Sequence, residues 1–189
     1  LVIGSSGQDG SLICKSLLKK GFEVYGTSRN VKNQINNHLQ LEISDNIHLE
    51  ELNICDSKAI ENLIERIAPN EIYQLAAESS VAKSFENPEI SFSSICNSSI
   101  AFLEASKRLC FDGKLFFAGS SEIFGNTLSK ANLNDIFKPL SPYAMAKIAS
   151  LQMVEMYRKL YGLKAVTGIL FNHESNLRPD TFVINKIIK

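Results

Sequence analysis

The stretch Leu1-Val2-Ile3-Gly4-Ser5-Ser6-Gly7-Gln8-Asp9-Gly10 decides the fold. Three apolar residues read as a strand, with no basic segment before them, and they stop at Gly4 in a tight loop. From Ser11 to Lys20, Leu12, Ile13, Leu17 and Leu18 recur at helical spacing until Gly21 ends the pattern. A strand, a glycine loop and a helix in that order suit a pyrophosphate. The glycines let the backbone approach closely, and the helix start offers unpaired N–H groups and a partial positive charge. The spacing is Gly-x-x-Gly-x-x-Gly, not the more familiar Gly-x-Gly-x-x-Gly, so the loop counts only in its strand-to-helix setting.

Working outward, strands alternate with helices. Strands are expected at 22–26, 47–52, 71–76, 114–118 and 165–170. Helices are expected from Asp56 or Ser57 to Ala68, from Ser91 to Cys110, and from Ser141-Pro142 to Tyr161, with Gly162 as the stop. The polar stretch Thr27–Asp45 reads as a loop holding at most a short helix, and Ala76 leads into a Ser-rich turn. Parallel neighbours need crossovers, so this order predicts an α/β, doubly wound, Rossmann-like parallel sheet. Residues 1–175 form the expected dinucleotide-binding domain. No convincing second domain shows within the chain; that residues 176–189 start a smaller substrate-binding region, most of which this chain lacks, is implied only by the family resemblance given below. An apolar stripe from Thr181 (Val183, Ile184, Ile187, Ile188) predicts a helix there.

Composition narrows the function. The 189 residues carry zero formal net charge, which gives no reason to expect a nucleic acid or an anionic membrane as partner. No apolar run approaches the ~20 residues of a membrane span. Cys14, Cys55, Cys96 and Cys110 lie far apart in apolar-rich segments and read as buried free thiols, as in a reducing cytoplasm. His38, His48 and His173 form no cluster, so no metal site is expected.

After the second strand, an NAD site places an acidic residue to bond the ribose 2′-OH. Here the chain reads Gly26-Thr27-Ser28-Arg29. A guanidinium and two hydroxyls suit a 2′-phosphate, so NADP is the expected cofactor.

Tyr143 and Lys147, spaced i, i+4 on the last long helix, share one face. An ammonium beside a phenol favours phenolate, which can take a hydroxyl proton while hydride leaves the same carbon. The fifth strand runs into Ala118-Gly119-Ser120-Ser121-Glu122. Ligands sit beyond the carboxyl ends of parallel strands, so these residues are expected near the same crevice. Ser120 offers a hydroxyl to substrate. Glu122 supplies a carboxylate that plain oxidoreduction does not need, suited to removing a carbon-bound proton, unless it merely caps the following turn.

Together these segments resemble the extended short-chain dehydrogenases, and several stretches resemble the GDP-mannose 4,6-dehydratase family. They are Gly7–Ser11, Glu71–Ala77, Ser120–Gly125, Ser141–Lys147 and Gly168–Ser175. The resemblance implies dehydration of GDP-mannose to a 4-keto-6-deoxy sugar, with NADP reduced and restored within one turnover. It casts Ser120, Glu122, Tyr143 and Lys147 as catalytic. It assigns Gly4, Gly7, Gln8, Asp9, Gly10, Arg29, Asn53, Ile54, Leu75, Ala76 and Ala77, with Tyr143 and Lys147, to the cofactor. Ser79, Ser121, Asn172 and Glu174 fall to the sugar nucleotide. A homo-oligomer, dimer or tetramer, is implied.

The chain departs from the family pattern at several points. Ser120 stands for Thr, Asn53 for Asp and Asn30 for a second Arg. Glu78-Ser79-Ser80 replaces Gln-Ser-His, and Asn176-Leu177-Arg178-Pro179 replaces Pro-Arg-Arg-Gly. Two readings compete with a dehydratase. One is another sugar-nucleotide epimerase, reductase or dehydratase, against which Glu122 counts. The other is a non-catalytic dinucleotide-binding module, against which the joint presence of Ser120, Glu122, Tyr143 and Lys147 counts.

Overall fold

The first strand, β1 (Val2–Ile3), is wholly buried, and the computed structural model describes residues 1–31, 36–178, 184 and 187. By contact the chain divides into two compact units, Leu1–Leu52 with Asn172–Lys189, and Asn53–Phe171. Apart from Ile184 and Ile187, the helix expected from Thr181 lies outside the described residues, as does Pro179.

In the first unit, β1 is followed by α1 (Gln8–Lys19), β2 (Val24–Ser28), the short α2 (Asn36–Gln40) and β3 (Ile47–Glu51). β1 pairs parallel with β2 and β2 with β3, in the order β3-β2-β1. Cys14 and Leu17 of α1 are buried, as are Val2, Ile3, Val24 and Ile47 on the strands. Of the apolar positions read at helical spacing, Leu17 is buried, Ile13 and Leu18 are half-buried and Leu12 is exposed, so the buried face of α1 is narrower than the sequence pattern suggests.

In the second unit, α3 (Ser57–Ile67) leads to β4 (Glu71–Gln74). The Asp56 carboxylate accepts the N–H groups of Lys58 and Ala59, which caps α3, and Ala68 closes the helix at φ 46° ahead of Pro69. α4 (Val81–Glu86), α5 (Pro88–Phe92) and α6 (Ser98–Arg108) then lead to β5 (Lys114–Ala118). α7 (Pro142–Tyr161) precedes β6 (Lys164–Gly168). β4 pairs parallel with β5 and β5 with β6. Ile60, Ile72, Phe102, Leu103, Leu115, Phe117 and Val154 form this unit's interior. All six expected strands are present and every pairing above is parallel, as the Rossmann-like reading requires.

Two expectations, on the Ser-rich turn and on the thiols, need correction, whereas the long helix expected from Ser91 to Cys110 is present: α5 runs through a π-helical turn at Ser93–Asn97 into α6 without leaving right-handed helical backbone. There the hydroxyls of Ser94, Ser98 and Ser99 donate back to the carbonyls of Ser91, Ser94 and Ile95, which competes with regular helical bonding. The Ser-rich turn contains α4, capped by Ser80. Of the four thiols, Cys14 and Cys96 are buried as expected, whereas Cys55 and Cys110 are exposed.

Candidate active site

The glycine loop is built from the first unit. Gly4 turns out of β1 at φ 83°, a conformation side chains resist. A Cβ on Gly10 would stand 2.2 Å from the Gly4 carbonyl oxygen, so only glycine lets α1 pack this closely on the loop. Gly7 is the N-cap residue of α1, and no side chain caps the helix. Side chains from α1 and α2 hold the loop by its carbonyls. The Ser5 carbonyl accepts the Ser11 hydroxyl at 2.8 Å and Nε2 of His38 at 2.7 Å, while Asn37 donates to the Ser6 carbonyl at 3.0 Å. A carbonyl only accepts, so His38 carries its proton on Nε2.

The residues at the end of β2 behave differently from their sequence reading. The Thr27 hydroxyl accepts the Gly4 N–H at 3.4 Å, and the Ser28 hydroxyl lies 3.2 Å from that of Ser6. Both hydroxyls are therefore engaged with the loop and not presented to a 2′-phosphate. Arg29 is exposed beside them and is the remaining group of the expected set for that role.

Gln8 and Asp9 reach across to the segment after β6. His173 Nε2 lies 2.7 Å from Asp9 Oδ1, and the Ser175 hydroxyl donates to Gln8 Oε1 at 3.0 Å. Asn172 and Glu174 are exposed, and Glu174 stands 3.7 Å from Arg178.

The second unit carries the reactive side chains. Ser141 caps α7 by accepting the Ala144 N–H at 3.1 Å, which fixes the first turn where Tyr143 sits. Tyr143 is buried and packs with Ile95, Ala146, Ala77 and Val81. This brings the segment after β4 beside the phenol. Lys147 is buried one turn on, with Nζ 5.6 Å from the Tyr143 ring centroid and 2.7 Å from the Ala118 carbonyl oxygen. Burial pulls its ammonium down from the ordinary lysine range to about 8.

Beyond Ala118, Ser121–Phe124 form a single tight turn that packs against α7. Its cap is Ser120, whose oxygen accepts the Glu122 N–H at 3.3 Å, so Glu122 is not the capping group. The Ser120 proton stays available to donate. Ser121 and Glu122 are half-buried, and the Ser121 N–H donates to the Leu170 carbonyl at 2.8 Å.

The other expected contacts scatter. Asn53 is exposed and its side chain accepts the Cys55 N–H at 3.0 Å, while Ile54 is buried in the core. Leu75, Ala76 and Ala77 are half-buried, and Gln74 donates to the Ala76 carbonyl at 3.1 Å. Ser79 is exposed, its N–H held by Glu78 at 2.9 Å. A hollow of about 670 Å³ opens among Glu71, Asp112, Lys114 and Lys164, at the starts of β4, β5 and β6. That is the wrong end of a parallel sheet for a ligand. Among the described residues no cluster suits a metal ion, and no helix is long and apolar enough to cross a membrane.

The family model described as GDP-mannose 4,6 dehydratase matches residues 1–189. The chain belongs to the GDP-mannose 4,6 dehydratase family. A relative named GDP-mannose 4,6 dehydratase 2, from Arabidopsis thaliana, is 38% identical and is matched by all of this chain over 54% of its own length. A Vibrio cholerae GDP-mannose 4,6-dehydratase is 35% identical, with all of this chain covering 53% of it. The chain thus spans about half the length of the curated relatives it matches. Among solved structures, a UDP-glucose 4-epimerase from Thermus thermophilus, in complex with NAD, aligns with a TM-score of 0.79 at 27% identity. The alignment covers 88% of this chain and 52% of that one. A UDP-glucuronic acid 4-epimerase from Bacillus cereus shares the fold at a TM-score of 0.88 and 21% identity, over 99% of this chain and 60% of its own.

Within this family member, sequence reasoning passed over three groups that the structure puts to use: the Ala118 carbonyl, His173 and Ser175. One signal was available. Asp9 is an acidic residue in the first turn of a helix read as a phosphate seat, and such a carboxylate calls for a partner if an anion is to bind nearby.

Proposed function

We propose that the protein carrying this chain dehydrates GDP-mannose to GDP-4-keto-6-deoxymannose with NADP as a recycled cofactor. Residues 1–175 would be its dinucleotide-binding domain with the catalytic groups, and 176–189 the entry to the sugar-nucleotide region. The observation that carries this reading is local to the second unit. Buried Tyr143 and Lys147 on α7 are tied to the end of β5, and Ser120 and Glu122 follow at once on a turn packed against the same helix.

The glycine loop fits a dinucleotide. Its helix start is free of a side-chain cap, and Gly10 leaves no room for a Cβ. Gly4, Gly7 and Gly10 would line the pyrophosphate, Arg29 would meet a 2′-phosphate, and Asn53, Ile54 and Leu75–Ala77 would border the rest. When bound, the nicotinamide supplies reversible hydride transfer. Tyr143, its phenolate favoured by the Lys147 ammonium, takes the proton of the sugar 4-OH. A ketone at C4 makes the C5 proton acidic, and Glu122 removes it. Hydroxide leaves C6 as water, protonated by Glu122 and steadied by the Ser120 hydroxyl, and return of the hydride to C6 with the Tyr143 proton delivered to C5 would complete the 4-keto-6-deoxy product. Ser79, Ser121, Asn172 and Glu174 are assigned to the sugar nucleotide. A cytoplasmic homo-oligomer, with no nucleic acid or membrane as partner, completes the reading.

The test is to incubate the full-length protein with GDP-mannose and NADP. A 4-keto-6-deoxy product without net NADPH supports the proposal. A C4-epimerised sugar would instead support an epimerase, the reading favoured by the likeness to the Thermus thermophilus enzyme.

A further inference from the structure

We propose that Asp9 and His173 are a positioning pair that seats the segment 172–175 on the first turn of α1 and so sets affinity for the sugar nucleotide. This rests on the reading above that Asn172 and Glu174 meet that ligand. The pair belongs to a closed set of contacts. His173 Nε2 donates to Asp9 Oδ1 at 2.7 Å, because a carboxylate can only accept. Gln8, 6% exposed, uses both ends of its amide. Its Nε2 donates to Asp9 Oδ1 at 3.2 Å and to the His173 carbonyl at 3.4 Å, and its Oε1 accepts the Ser175 hydroxyl at 3.0 Å. The Ser175 oxygen then accepts the Leu177 N–H at 3.2 Å, and Leu177 is buried.

The pinned residues alternate. His173, Ser175 and Leu177 are held, while Asn172, Glu174 and Asn176 between them are exposed. Fixing one set aims the other outward. The same contacts give the Asp9 carboxylate a donor of its own at a helix start, where it would otherwise compete with an anionic ligand for the free N–H groups. Neither His173 nor Ser175 needs to touch a reacting atom, so the effect belongs to binding and not to the chemical step.

Kinetics of the full-length protein at saturating NADP test this. His173→Ala should raise KM for GDP-mannose about tenfold, the worth of a hydrogen bond to a charged group, and leave kcat within about threefold, and Asp9→Ala should raise that KM by a similar factor. Asp9→Asn keeps an acceptor oxygen in place and should recover most of the KM lost in Asp9→Ala. Ser175→Ala, a minimal change, should move KM the same way by less. A wild-type KM in His173→Ala, a loss confined to kcat, or an Asp9→Asn variant as poor as Asp9→Ala would overturn the proposal. Hydrogen exchange at the Leu177 N–H gives a readout that needs no turnover. It should quicken in His173→Ala, and an unchanged rate overturns the clasp. Wild-type protein inert toward GDP-mannose would count against the proposed function instead, with the exchange result still deciding the clasp.

Discussion

Lys147 reaches back from α7 to the last residue of β5, its Nζ 2.7 Å from the Ala118 carbonyl oxygen. That one bond fixes the ammonium below the Tyr143 ring and holds the helix against the strand whose continuation carries Ser120 and Glu122. It also leaves a charge in a buried place. The ammonium falls to about 8 because water is excluded from it, which is a cost to folding kept for the sake of the site.

That cost has a definite pH dependence. With Lys147 ordinary at 10.5 in the unfolded chain and near 8 when folded, the unfolded state holds more protons between those values. The group's contribution to stability is therefore complete above 10.5, falls as the pH drops, and is lost below about 8. The size is ~3 kcal/mol. In Lys147→Met this rise disappears. Urea unfolding of both proteins at pH 7 and pH 10 should show the variant gaining most relative to wild type at pH 7. Parallel stabilities at the two pH values would contradict the burial of the charge.

The glycines of the loop separate two demands. Gly10→Ala drives a Cβ into the Gly4 carbonyl and should destabilise the fold by about 1–3 kcal/mol or more, read by thermal unfolding. At Gly7 a Cβ would stand 3.4 Å from the Gly4 carbonyl oxygen, an ordinary contact. Gly7→Ala should fold normally and, if the loop seats a pyrophosphate as proposed, lose dinucleotide affinity, because a close backbone approach to that group leaves no room for a side chain.

With Thr27 and Ser28 engaged by the loop, Arg29 is the group left for a 2′-phosphate on the proposed NADP reading. Arg29→Ala should weaken NADP binding by about 2 kcal/mol while leaving NAD binding nearly unchanged, as expected for a charge-assisted bond. The ratio of the two Kd values is the measurement. An equal loss for both cofactors would remove Arg29 from this role.

Much of this was legible in the sequence because the deciding signals are local. Ser141, Pro142 and Gly162 mark both ends of α7, and the helix begins and ends where they predict. Tyr143 and Lys147 four apart on one helix could only share a face. What stayed hidden depends on contacts between distant positions or on competing hydrogen bonds. α4 hides behind a serine run that reads as a turn, although Ser80 is its cap. The serines at 94, 98 and 99 give no warning in a periodicity that they widen one turn of an otherwise continuous helix to π-helical geometry. Thr27 and Ser28 look ligand-facing until the loop folds over them. The Asp9–His173 bond joins residues 164 positions apart, beyond the reach of any local pattern.

In the proposed reaction the Glu122 carboxylate removes a proton from a sugar carbon next to a transient ketone. GDP-mannose deuterated at C4, turned over by wild-type full-length protein and by Glu122→Gln with NADP, tests it most directly. Wild type should deliver the label to C6, and Glu122→Gln should still bind NADP but form no 4-keto-6-deoxy product. Wild-type product without the label at C6, or dehydration by Glu122→Gln at the wild-type rate, would contradict it.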